Sequence, residues 1–107
     1  MYSHAHEALT KINKVLKKKL ADVLVSMYAF GSRVRGNHTE DSDFDVLVIV
    51  TERTPAVEST IIDAFVEEEM RSGLSFDPVI KDIESFELEK RHHTPFYENI
   101  QREGILI

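Results

Sequence analysis

Residues 43–50 read DFDVLVIV: two carboxylates, Asp43 and Asp45, followed by an apolar run that continues to Val50. A strand with no polar face is covered on both sides, so this segment is expected to lie at the centre of a sheet. Alternate residues of a strand share a face, which sends Asp43 and Asp45 to the same side, close together. Charge at the mouth of a buried strand is costly unless something offsets it. From the spacing alone two readings stand. Either the pair is a solvated strand start beside a polar turn, or it is held together by a cation. Carboxylate oxygens without cysteine partners suit Mg²⁺ or Mn²⁺ better than zinc.

The flanks extend the pattern on both sides. Downstream, Thr54-Pro55 reads as an N-cap followed by proline at the first helical position. Val57, Ile61, Ala64, Phe65 and Met70 then mark a helix, with Glu67, Glu68 and Glu69 near its end and Gly73 as a C-cap. LSFDPVIKDI (74–83) is a further strand, and Pro78, which removes a ladder donor, assigns it to an edge. Residues 84–93 form a short helix. Thr94-Pro95 caps another, running through Tyr97 and Ile100 to Gly104, and the terminal ILI is a short strand or a tail packed on the core. Upstream, Leu9, Ile12, Leu16 and Leu20 recur at helical spacing, with lysines on the other faces. Val23–Phe30 is a β-prone run ending at Gly31-Ser32. The polar residues 33–42 between the first two strands form a loop or short helical turn. Two strands separated by a helix favour a parallel crossover. The fold class is α+β with α/β-like features, a small mixed sheet flanked by helices.

At 107 residues and 42% hydrophobic content, the chain suits a single domain, 1–107. The net charge of −6 argues against direct nucleic-acid binding, which runs on a basic surface. There is no cysteine, hence neither a disulfide nor a thiolate metal site. No apolar run approaches a membrane span or a signal-peptide core, and a soluble cytoplasmic protein is the expectation. His92 and His93 read as an exposed helix end, and Phe96 and Tyr97 as core or interface anchors.

Gly31 and Ser32 sit at the end of the first strand, where the backbone can approach a ligand closely and a hydroxyl can donate to phosphate. Arg33 and Arg35 follow, and guanidinium groups suit phosphates. Gly31-Ser32, ten residues, then Asp43-x-Asp45 resembles the signature of the DNA polymerase beta-like nucleotidyltransferases. The flanks GSRVRG and SDFDVLVIV resemble its minimal nucleotidyltransferase (MNT) branch, and the likeness runs from about Val23 to Ile107. That family uses a third carboxylate on a later strand, and Asp77 in SFDPVI is the matching position.

The resemblance implies transfer of a nucleoside monophosphate from a triphosphate, ATP as substrate, to an acceptor hydroxyl. Asp43, Asp45 and Asp77 would hold one or two Mg²⁺ (or Mn²⁺) ions, and Asp77 would also take the acceptor's proton. Gly31 and Ser32 would hold the terminal phosphates, with Arg33 or Arg35 on the pyrophosphate. The short chain is expected to borrow its acceptor surface from a partner. Small MNT proteins resemble the antitoxin half of HEPN–MNT toxin–antitoxin pairs, in which AMP is added to a tyrosine of a helical ribonuclease toxin. Two alternatives remain at this stage: an antitoxin that blocks its toxin sterically, and a transferase acting on a small molecule of the antibiotic type.

Overall fold

The computed structural model describes residues 3–31 and 43–107. Its elements are α1 (Ser3–Lys19), β1 (Leu24–Phe30), β2 (Phe44–Val50), α2 (Pro55–Ser72), β3 (Phe76–Asp82), α3 (Ile83–Arg91), α4 (Pro95–Glu103) and β4 (Ile105–Leu106). The four strands form one mixed sheet in the order β3-β2-β1-β4. β2 runs antiparallel to β1 and parallel to β3. The expected crossover and the central position of DFDVLVIV both hold. The polar stretch 33–42, read as a loop or helical turn, lies outside the described residues.

Side-chain alternation along β2 divides the core into two layers. Phe44, Val46, Val48 and Val50 pack with Leu9, Ile12 and Leu16 of α1 and Ile61 and Phe65 of α2. Leu47 and Ile49 face the other way, onto Ile83, Phe86, Phe96 and Ile100 of α3 and α4. The strand therefore has no solvent face, which is why its sequence carries no polar alternation.

The helix boundaries follow local chemistry. The Thr54 hydroxyl accepts from Val57 N–H and the Thr94 hydroxyl from Tyr97 N–H, each with proline next in the chain. Gly73 closes α2 in the left-handed region at φ 77°. One expectation for α2 needs correction. Met70, read as part of its apolar face, is 83% exposed, whereas Glu68 is buried. One residue advances a helix by about 100°, so Met70 stands about 180° from Ile61 and Glu68 only about 20° from it. Glu68 takes the core slot, and its carboxylate meets Arg71 Nη1 at 3.1 Å at the surface.

β3 is an edge strand, and two of its outward backbone groups are occupied. Residues 77, 79 and 81 turn their amides toward β2, leaving 76, 78 and 80 to face outward. Phe76 N–H donates to Glu69 Oε2 at 2.7 Å. Pro78 has no N–H to leave unpaired. The Ile80 carbonyl accepts from Arg53 Nη1 at 2.9 Å. One outward donor is taken, one is missing and one outward carbonyl is taken, which blunts the edge against strand addition.

Candidate active site

The topology brings three strand ends together. Because β1 is antiparallel to β2, its C-terminal end meets the N-terminal end of β2; because β3 is parallel to β2, their N-terminal ends align. Asp45 accordingly pairs with Phe30 on one side and Asp77 on the other. Residues paired in adjacent strands stand about 5 Å apart and project to the same face. That face is the one Leu47 and Ile49 share with α3 and α4. Asp43 precedes β2 by one residue and follows the same alternation. Asp45 is half-buried, while Asp43 and Asp77 are exposed.

Gly31 closes against this group. Its φ of 87° lies in the left-handed region, and a Cβ there would overlap the Oδ2 of Asp45 and fall 3.1 Å from its Cγ. The close approach expected of this glycine is thus to the Asp45 carboxylate itself. Ser32, Arg33 and Arg35, expected to bind phosphate, lie outside the described residues.

The strand ends are fixed from the opposite face. The Phe44 and Phe76 rings pack with centroids 5.9 Å apart, and Phe65 of α2 meets Phe76 at 5.8 Å. Phe44 N–H donates to the Ser75 carbonyl at 2.9 Å. The Glu69–Phe76 hydrogen bond ties the residue just before Asp77 to α2. Glu69 is a positioning residue that sequence periodicity could not find, because its partner is a backbone amide on another element. On the carboxylate face, Phe96 stands edge-on to Phe30, centroids 5.6 Å apart, and carries Lys81 Nζ 4.9 Å above its ring. Lys81 is held by Glu89 at 2.7 Å. His93 pairs with Glu98 at 2.8 Å and is exposed, in keeping with a helix-end role. A cavity of about 410 Å³ opens on the same face over Tyr28, Ile49, Phe86 and Tyr97. Asp43, Asp45 and Asp77 are not among the residues that line it.

The donor set consists of hard oxygens, which suits a divalent ion of the Mg²⁺ or Mn²⁺ class. Asp45 and Asp77 supply the adjacent pair. Among the described residues no three His, Asp or Glu side chains form a ready-made ligand cluster.

Residues 9–107 match the nucleotidyltransferase domain family. The chain belongs to that family. It is a nucleotidyltransferase domain, and the family works on a nucleoside triphosphate with a divalent metal. The chain is 26% identical over 98 residues to a protein of Methanocaldococcus jannaschii provisionally named a protein adenylyltransferase, with 92% of each chain covered. It is 38% identical over 52 residues to a spectinomycin 9-adenylyltransferase of Enterococcus faecalis; that match covers 49% of this chain and spans only 20% of the relative. A solved structure provisionally described as a minimal nucleotidyltransferase superimposes with a TM-score of 0.58 at 27% identity, covering 95% of this chain and 94% of that one. No helix among the described residues is long and apolar enough to cross a membrane.

Proposed function

We propose that the protein transfers AMP from Mg²⁺-ATP to a tyrosine hydroxyl of a partner protein, a HEPN-family ribonuclease toxin, and acts as its antitoxin. The observation that carries this reading is the pairing of Asp45 with Asp77 at one sheet end, closed by a glycine that only fits because it has no side chain. The near-full-length match to a chain provisionally named a protein adenylyltransferase supports the choice of acceptor class.

In the reaction, the acceptor oxygen attacks the α-phosphorus, the bond from that phosphorus to the bridging β-phosphate oxygen breaks, and pyrophosphate leaves. Asp77, exposed at the strand end, takes the acceptor's proton. Asp43 and Asp45 would hold the divalent ion, with Asp77 as a further ligand. When bound, that ion supplies the positive charge that the triphosphate and the leaving group require. Gly31 lets the backbone approach the terminal phosphates, and Ser32 with Arg33 or Arg35 binds them. The half-buried setting of Asp45 fixes its position, so little reorganisation is required at the moment of transfer.

The test is intact-mass spectrometry of the ribonuclease after incubation with the protein, Mg²⁺ and ATP. A gain of whole AMP units that vanishes with Asp43→Ala/Asp45→Ala supports transfer. A silenced ribonuclease with no mass gain overturns it in favour of steric blocking. The match to the spectinomycin enzyme favours a second reading, transfer to a small-molecule hydroxyl. Spectinomycin in place of the ribonuclease, in the same assay, decides between the two acceptor classes.

A further inference from the structure

The face of α2 turned away from the sheet carries a row of exposed apolar side chains. Ile62, Val66 and Met70 are spaced by four residues and are 46%, 44% and 83% exposed. On a helix such residues form one ridge. They stand about 100–180° around the axis from Ile61, clear of the buried face formed by Ile61, Ala64 and Phe65. Asp63 and Glu67, both exposed, form a second row beside the ridge at about 200–240°. Glu69 borders its other flank and is tied to Phe76.

We propose that this ridge docks a protein partner through an apolar groove whose rim carries lysine and arginine. A ridge of i, i+4, i+8 anchors laid into a groove is a recurring mode of helix recognition, and an unbranched methionine at its most exposed point adapts to irregular surfaces. Charge selects the occupant. A second copy packed antiparallel on the same ridge brings Asp63 and Glu67 against their own counterparts, a like-charge contact that costs affinity. Strand addition beside the ridge is disfavoured, because Glu69 takes the Phe76 N–H, Arg53 takes the Ile80 carbonyl and Pro78 has no N–H to offer. A basic-rimmed groove on another protein answers both the apolar and the acidic rows.

The ridge lies on the sheet face opposite the carboxylates, since α2 packs on the Val46–Val48 side and Asp45 points to the other. It therefore holds the partner without covering the chemistry. The partner used as probe is the ribonuclease of the proposed reaction, so the test rests on that reading for its choice of protein.

Titration calorimetry of the ribonuclease is run against the full chain, against Val66→Lys/Met70→Lys and against Asp63→Lys/Glu67→Lys. The ridge variant is expected to bind at least about tenfold more weakly, in the range of a lost interface anchor. The acidic-row variant is expected to bind more weakly at low salt and to lose most of its salt dependence. Thermal melts of both should match the parent, because all four side chains are exposed. Unchanged affinity in both variants overturns the ridge. So does a parent chain that fails to bind, or one that sediments as a dimer which Val66→Lys/Met70→Lys dissolves, assigning the ridge to a second copy. Mass spectrometry on the same mixtures separates the two proposals. Lost binding in the ridge variant, with no AMP gain even in the parent, sinks the transfer reading and keeps the ridge; AMP gain with unchanged binding does the reverse.

Discussion

Gly31→Ala tests how the glycine and Asp45 depend on one another. The substitution has two separable costs. An L-residue in the left-handed region, where Gly31 sits at φ 87°, costs roughly 1–2 kcal/mol whatever surrounds it. At this chain length each kcal/mol lowers Tm by about 4–8 °C. The second cost is contact: the new Cβ overlaps Asp45 Oδ2 and lies 3.1 Å from its Cγ and 3.3 Å from its Cβ. Asp45 must then leave its present position, and a displacement of about 1 Å at a reacting centre lowers the rate about 10²-fold. Denaturant melts of the parent, Gly31→Ala, Asp45→Ala and the double variant separate the two. Asp45→Ala removes Cγ and Oδ2, so in that background only the backbone cost remains. The difference between backgrounds should exceed about 0.5 kcal/mol, the usual limit of additivity for independent sites. Equal costs in both backgrounds, together with parental transfer by Gly31→Ala, would show that the glycine does not position Asp45.

Other outcomes follow from single contacts. Asp77→Asn should lower AMP transfer by about 10²–10⁴-fold with little change in the melt, because Asp77 is exposed and its proposed role is in proton transfer. Glu69→Ala leaves the Phe76 N–H without its partner and should cost about 1–3 kcal/mol, while Glu69→Gln retains an acceptor and should recover most of the loss in a urea titration. The Ser85 backbone N–H, then its hydroxyl and, more weakly, Arg53 hold the Asp82 carboxyl below its ordinary value of 3.8. A folded-state pKa below the unfolded one means that this contribution is complete above about pH 4 and lost as pH falls through the folded value. Acid titration of stability should therefore show a smaller decline for Asp82→Asn, which still caps α3 but does not titrate, and no divergence of slope between pH 5 and 8.

Local chemistry made much of this fold legible in the sequence. Thr54-Pro55, Thr94-Pro95 and Gly73 act within their own helix ends, and each stands where its residue type requires. Pro78 announced an edge strand because a missing donor has only one place to go in a sheet. The unbroken apolar run after Asp45 placed β2 at the centre. The failures are of another kind. Met70 was assigned to the apolar face of α2 by composition, although its angular position opposes Ile61, and the slot it seemed to fill belongs to Glu68, whose charged head reaches Arg71 at the surface. A carboxylate that buries its stem and keeps its head at an arginine looks polar in sequence and apolar in packing. Glu69 was invisible as a positioning residue for a related reason: its partner is an amide that only the crossover brings near. The alternation that sends Asp43 and Asp45 to one face is local, but the pairing of Asp45 with Asp77 depends on the register of two parallel strands, which no local pattern encodes.

That register also explains why the carboxylates sit where they do. A strand end is the one part of a fully covered strand where a charge can reach solvent without breaking the core, and β2 is covered on both faces from Val46 onward. Moving Asp45 two residues inward would bury its carboxylate at the Leu47 position among Phe30, Val79 and Phe96. Moving it outward would take it off the ladder that pairs it with Phe30 and Asp77. The position is thus bounded from both sides: far enough in to be fixed by backbone pairing and by the Phe44–Phe76–Phe65 stack beneath, far enough out to meet a solvated polyphosphate. A parallel partner strand then brings a second carboxylate into register without any further device, and the antiparallel strand supplies the turn into which a glycine can press its backbone.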